Sequence, residues 1–115
     1  MEESCNENKE QFISTIKECD SELQKHPENP EKYYYLKASA YFELKEFENA
    51  ILWSSKAIAI KKDISAFYIV RGDAYFQLGY YEEAEKDYEI LVKLWPAWDE
   101  GWTRLEEVKK KLCKE

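Results

Sequence analysis

The stretch Tyr34-Tyr-Leu-Lys-Ala-Ser-Ala-Tyr-Phe-Glu-Leu-Lys-Glu-Phe-Glu-Asn-Ala50 lies over Tyr68-Ile-Val-Arg-Gly-Asp-Ala-Tyr-Phe-Gln-Leu-Gly-Tyr-Tyr-Glu-Glu-Ala84 when the chain is compared with itself at an offset of 34 residues. Seven of the seventeen positions are identical: Tyr34/Tyr68, Ala40/Ala74, Tyr41/Tyr75, Phe42/Phe76, Leu44/Leu78, Glu48/Glu82 and Ala50/Ala84. Lys37 over Arg71, Ala38 over Gly72 and Phe47 over Tyr81 are conservative pairs. A third, partial copy follows, in which Trp102, Val108 and Leu112 extend the columns of Tyr68, Ala74 and Leu78. A fixed period of this length marks an array of stacked supersecondary units.

Each copy reads as two helices joined by a tight turn. In the second, apolar residues recur at Tyr68, Tyr75 and Leu78, then at Tyr81, Ala84, Tyr88 and Leu91, with helical spacing. The turn falls at Gly79-Tyr80, where glycine takes the left-handed conformation that ends a helix at little cost. Lys45 fills that column in the first copy, so a more strained turn is expected there. Gly72 sits inside a helix, where it costs about 1 kcal/mol against Ala; close approach of the paired helix is the expected gain. Ala50 and Ala84 are expected where paired helices cross. Ser65 and Asp99 are the expected N-caps, and Pro96 marks the end of the second copy.

Composition agrees and narrows the function. The 115 residues are 44% apolar and 36% charged, enough for one domain over 1–115 with its own core. Three Gly and three Pro argue against sandwiches and barrels, leaving an all-α fold. A net charge of −7 opposes nucleic acid as a partner, since phosphate binding needs a basic face. No apolar run nears the roughly 18 residues of a membrane span, and the acidic start is no secretory signal. Cys5, Cys19 and Cys113 form no Cys-x-x-Cys pair, and His26 is the single histidine, between Lys25 and Pro27 in an expected solvated turn. Neither a metal or other cofactor nor a catalytic pair is signalled, so the expectation is a non-enzymatic, reduced, cytoplasmic protein. The acids of Glu82-Glu83 and Glu106-Glu107 are expected to pair with Lys86 and Lys110 one helical turn on.

The flanks complete six helices. Phe12, Ile13, Ile16, Cys19 and Leu23 form one apolar stripe before the His26-Pro27-Glu-Asn-Pro30 stop, so residues 8–25 read as an N-terminal capping helix. Repeat 1 occupies 31–64 and repeat 2 occupies 65–98. Residues 99–113 form a C-terminal helix or partial third repeat, with Lys109, Lys110 and Lys111 near its negative end. Such caps cover the faces that a repeat array leaves bare.

The pattern resembles the tetratricopeptide repeat family. Its small-residue and aromatic columns stand here as Ala38/Gly72, Tyr41/Tyr75, Phe47/Tyr81, Ala50/Ala84, Ala57/Leu91 and, in the second copy, Pro96. Ser54, Lys62 and Lys45 depart from it. The resemblance implies a right-handed superhelix of helical hairpins whose first helices line a concave peptide-binding groove. Projected onto this chain, that face carries Tyr35, Leu36, Ser39, Phe42 and Glu43, then Ile69, Val70, Asp73, Phe76 and Gln77, then Glu100, Thr103, Arg104 and Glu107. The implied function is a protein-interaction adaptor for a segment with apolar anchors and basic flanks. The alternatives are a homodimer that covers the apolar stripe of Tyr35, Leu36, Phe42, Ile69, Val70 and Phe76, and a co-chaperone gripping acidic heat-shock chaperone tails. For the last, the family's two-carboxylate clamp falls on Tyr35, Ser39, Val70, Glu100 and Arg104. Only Arg104 matches, and Glu100 reverses a charge, so no tail binding is expected. Trp53, Tyr80 and Trp95 lie off the family columns and are candidate exposed anchors.

Overall fold

The computed structural model describes residues 2–113, with side-chain surroundings from residue 8 onward. Six helices account for it: α1 (Glu2–Gln24), α2 (Pro30–Glu43), α3 (Phe47–Ile60), α4 (Ser65–Leu78), α5 (Tyr81–Leu94) and α6 (Asp99–Cys113). Each helix packs on the next along the chain, and α2 also touches α4. That nearest-neighbour pattern is the packing of a repeat array. It makes α2 and α4 the two adjoining helices of one face, with α6 following.

Small side chains set the spacing of the pairs. Ala38, Ala50, Ala57, Ala74 and Ala84 are each 0% exposed. An ideal Cβ on Gly72 would stand 2.7 Å from Cε1 of Tyr88, nearer than real Cβ atoms come. The glycine thus lets α5 lie against α4 with the Tyr88 ring edge close to the Gly72 backbone. Leu91, Val108, Phe67, Tyr68 and Val92 fill the core of the second repeat and its cap.

The two turns share one backbone solution with different residues. Gly79 has φ 85° and Lys45 has φ 64°. The Lys45 N–H donates to the Phe42 carbonyl at 2.9 Å and the Glu46 N–H to Tyr41 at 2.9 Å. Gly79 and Tyr80 donate to Phe76 and Tyr75 at 3.0 and 2.9 Å in the same pattern. The expected strain at Lys45 is therefore present, because a Cβ in the left-handed region costs roughly 1–2 kcal/mol. Lys45→Gly should raise stability by about 1 kcal/mol and the melting temperature by roughly 3–6 °C. Thermal unfolding checks it; an unchanged or lower melting point would refute the strain.

Several local expectations need correction. α1 begins at Glu2, six residues before the expected start, because its first turns are polar and carry no burial signal. Ser65 is the first residue of α4 rather than its cap; Ile64 holds the cap position and makes no side-chain bond there. Asp99 likewise opens α6 from within. Glu82–Lys86 and Glu106–Lys110 are not among the ion pairs within 4 Å of the described residues. All four side chains are exposed, where such pairs gain little. Cys19 is buried, which pushes its thiol up and keeps it protonated. Cys5 lies outside the residues whose side chains are described. His26 is exposed in its turn, at φ 55°.

Candidate functional site

Helical spacing builds the site. Phe42 comes from the last turn of α2, while Asp73, Phe76 and Gln77 share one face of α4 at i, i+3 and i+4. Glu100, Thr103, Arg104 and Glu107 share one face of α6 in the same way. With Tyr88 of α5 beneath, these residues line an open cavity of about 320 Å³. Eight of the residues projected from the sequence therefore meet: Phe42, Asp73, Phe76, Gln77, Glu100, Thr103, Arg104 and Glu107. Glu43 lines an adjoining hollow with Phe42, Phe47 and Gln77.

The rest of the projected face lies further along α2 and α4, outside this cavity. Tyr35 packs its ring on Phe67 at 5.4 Å, and Ile69 leans on the core. Leu36, Ser39 and Val70 are half-buried. Tyr88 is the lining residue that sequence reasoning missed. Its place among the apolar positions of α5 read as core, and the structure uses it as both core and cavity floor, 2% exposed.

Electrostatics give the site its character. Arg104 donates to Asp73 twice, Nε to Oδ1 at 2.9 Å and Nη2 to Oδ2 at 3.1 Å. This paired geometry is the strong form of an arginine–carboxylate contact. Tyr88 adds its hydroxyl to Oδ1 of Asp73 at 2.6 Å. Hydrogen bonding to Asp73 raises the Arg104 pKa despite the opposing effect of burial. Burial, together with the Asp73 carboxylate it faces, pushes the Tyr88 phenol well up, so it stays a donor. Glu100 stands 3.9 Å from Arg104 Nη1. Asp73 is thus committed to Arg104, and the one residue that matches the family's clamp is already partnered. Glu100 and Glu107 remain as exposed acids on the α6 wall.

The off-column aromatics divide. Trp53 is not a free anchor: Tyr34 lies 5.6 Å away and the buried Lys37 ammonium sits 3.5 Å above its ring centre. That contact repeats, in other chemistry, the Arg71–Asp87 pair, since Trp53 and Asp87 occupy one column of the 34-residue period. Tyr80 and Trp95 are exposed, and Trp95 stacks on Trp98 at 4.9 Å. Among the described residues no three His, Cys, Asp or Glu side chains converge as metal ligands would.

Known proteins place the chain. The family model described as anaphase-promoting complex, cyclosome, subunit 3 matches residues 8–89. RNA polymerase II-associated protein 3 of Homo sapiens is 38% identical over 77 residues, which are 67% of this chain and 12% of that protein. The chain thus spans only a small part of the curated relatives it matches. Among solved structures, the first TPR of Spaghetti (RPAP3), bound to HSP90 peptide SRMEEVD, superposes with a TM-score of 0.84 at 31% identity. That match covers 97% of this chain and 92% of the other. The first TPR domain of the human RPAP3 protein gives 0.82 at 31%, covering 96% and 87%. With the 34-residue period, the paired helices and these likenesses in agreement, the chain belongs to the tetratricopeptide repeat (TPR) family.

Proposed function

We propose that the protein is a non-catalytic interaction adaptor whose concave face binds a peptide segment or helix of another protein. The segment brings apolar anchors for Phe42, Ile69, Val70 and Phe76 and basic flanks for Glu43, Glu100 and Glu107. One observation carries the choice of charge: Arg104 is bound to Asp73, so its single charge does not also neutralise Glu100, 3.9 Å away, and Glu107. Apolar burial supplies most of the affinity, at about 25 cal/mol per Å² before ordering costs. The acids set orientation and association rate.

A second reading is favoured by the likeness to the first TPR of Spaghetti (RPAP3), which is bound to an acid-ended HSP90 peptide. Here the groove would take an acidic chaperone tail. Against it stand Glu100, whose charge opposes a carboxylate, and Tyr35, Ser39 and Val70, which supply no cation or amide.

Selection of a displayed random peptide library on the protein separates the readings. Enrichment of Leu, Phe or Trp beside Lys or Arg, lost on Phe76→Ala, is the expected result. Enrichment of acidic C-termini would establish the tail reading instead. Sedimentation of the same sample as a dimer, with no peptide enriched, would assign the groove to a second copy.

A further inference from the structure

The hollow between α2, α4 and α6 is walled by aromatic rings and charged side chains. Phe42 and Phe76 line it, and each ring is steadied edge-on by an aromatic from the following helix. Phe47 stands 5.2 Å from Phe42 at 71°, and Tyr81 stands 5.2 Å from Phe76 at 62°. These ring faces are pre-set rather than free to collapse. Tyr88 closes the floor with its hydroxyl turned to Asp73.

The lining carries three acids, Asp73, Glu100 and Glu107, against one cation, Arg104, while Lys110 and Lys111 line the adjoining hollow beyond Phe76 and Glu107. Glu100 and Glu107 project from α6 two turns apart, with Arg104 between them. Arg104 is bound to Asp73 and also stands 3.9 Å from Glu100, so its single charge cannot offset all three acids. A volume of about 320 Å³ lies at the small end of the ~300–1,000 Å³ typical of ligand sites. It has room for one long side chain. Aromatic faces attract a cation, and nearby carboxylates reinforce that attraction. Lysine and arginine also carry an alkyl stem that buries beside rings while the head stays polar.

We infer that this cavity is a receptor for a single cationic side chain, a lysine or arginine of the bound partner. Its stem lies between Phe42 and Phe76, and its head group meets Glu107 and Glu100. The inference rests on the adaptor reading for the partner being a polypeptide; the chemistry of the cavity stands without it.

Amide-resolved NMR titration of the intact chain tests it with N-acetyl-lysine methylamide, N-acetyl-arginine methylamide and the uncharged N-acetyl-norleucine methylamide. Both cations are expected to shift the Phe76, Gln77, Thr103 and Glu107 amides. Norleucine should bind roughly fivefold more weakly. The exposed double change Glu100→Gln with Glu107→Gln should bring the cations down to the norleucine level, in a spectrum that is otherwise unaltered. Equal binding of norleucine, shifts located elsewhere, or indifference to the double change would overturn the inference. Selected basic peptides with no such cation response would leave the adaptor reading and remove this one. A cation response with no peptide selected would do the reverse.

Discussion

Replacing Arg71 by Met is expected to cost roughly 3–5 kcal/mol, because it strands a buried carboxylate. Arg71 Nη2 and Nε donate to Asp87 at 2.8 and 2.9 Å, and Nη1 reaches the Ser55 hydroxyl at 3.1 Å. The Asp87 side chain is only 3% exposed, so water cannot take over when the guanidinium leaves. One arginine thereby ties α4 to both α3 and α5, the junction of the two repeats. The cost belongs to the broken pair and not to the pair itself. Arg71→Met combined with Asp87→Leu should therefore recover most of the loss, since apolar replacements of buried pairs are often neutral. Chemical denaturation of the three variants decides it. A single Arg71→Met variant as stable as the parent would mean that Asp87 finds solvent or another partner.

The repeat made the fold legible. Two copies at one offset give the helix pairing, the crossing alanines and the left-handed turns, because each depends on residue size and backbone freedom that recur at a fixed period. What recurrence hides is any position where the copies solve the same problem differently. Lys37 and Arg71 share a column, so a cation facing inward is visible in the sequence. Its partner is not: α3 offers the face of Trp53 where α5 offers the carboxylate of Asp87. Lys37 turns further to Asp20 of α1, an ion pair across elements that no local pattern announces.

The groove shows the same division. Helical spacing placed Asp73, Phe76 and Gln77 on one wall and Glu100, Arg104 and Glu107 on another, because both faces follow from i, i+3 and i+4 geometry. The Asp73–Arg104 bond joins residues 31 positions apart on helices that are not chain neighbours. Sequence gave their two faces but not their rotation toward each other. That rotation changes the chemistry, for it joins an acid and an arginine of the groove walls into one ion pair.

This pair leads to a second large effect, on ligand choice. The unaltered protein should give no heat with the peptide SRMEEVD, since Arg104 is occupied and Glu100 repels a terminal carboxylate. Asp73→Asn combined with Glu100→Lys should change that. The asparagine amide oxygen still accepts from the Tyr88 hydroxyl, so the buried phenol keeps a partner, while Arg104 loses the carboxylate that binds it. The lysine adds an ammonium one helical turn before Arg104, where the glutamate stood 3.9 Å away. Two charge-assisted hydrogen bonds to a carboxylate, at roughly 1.5 kcal/mol each, raise affinity by about 100-fold. Calorimetry should accordingly show salt-sensitive binding in the doubly changed protein, abolished by adding Arg104→Ala. Binding of the peptide by the unaltered protein would show that Asp73 yields to an incoming carboxylate. Silence from the doubly changed protein would show that Asp73 and Glu100 are not what close the site.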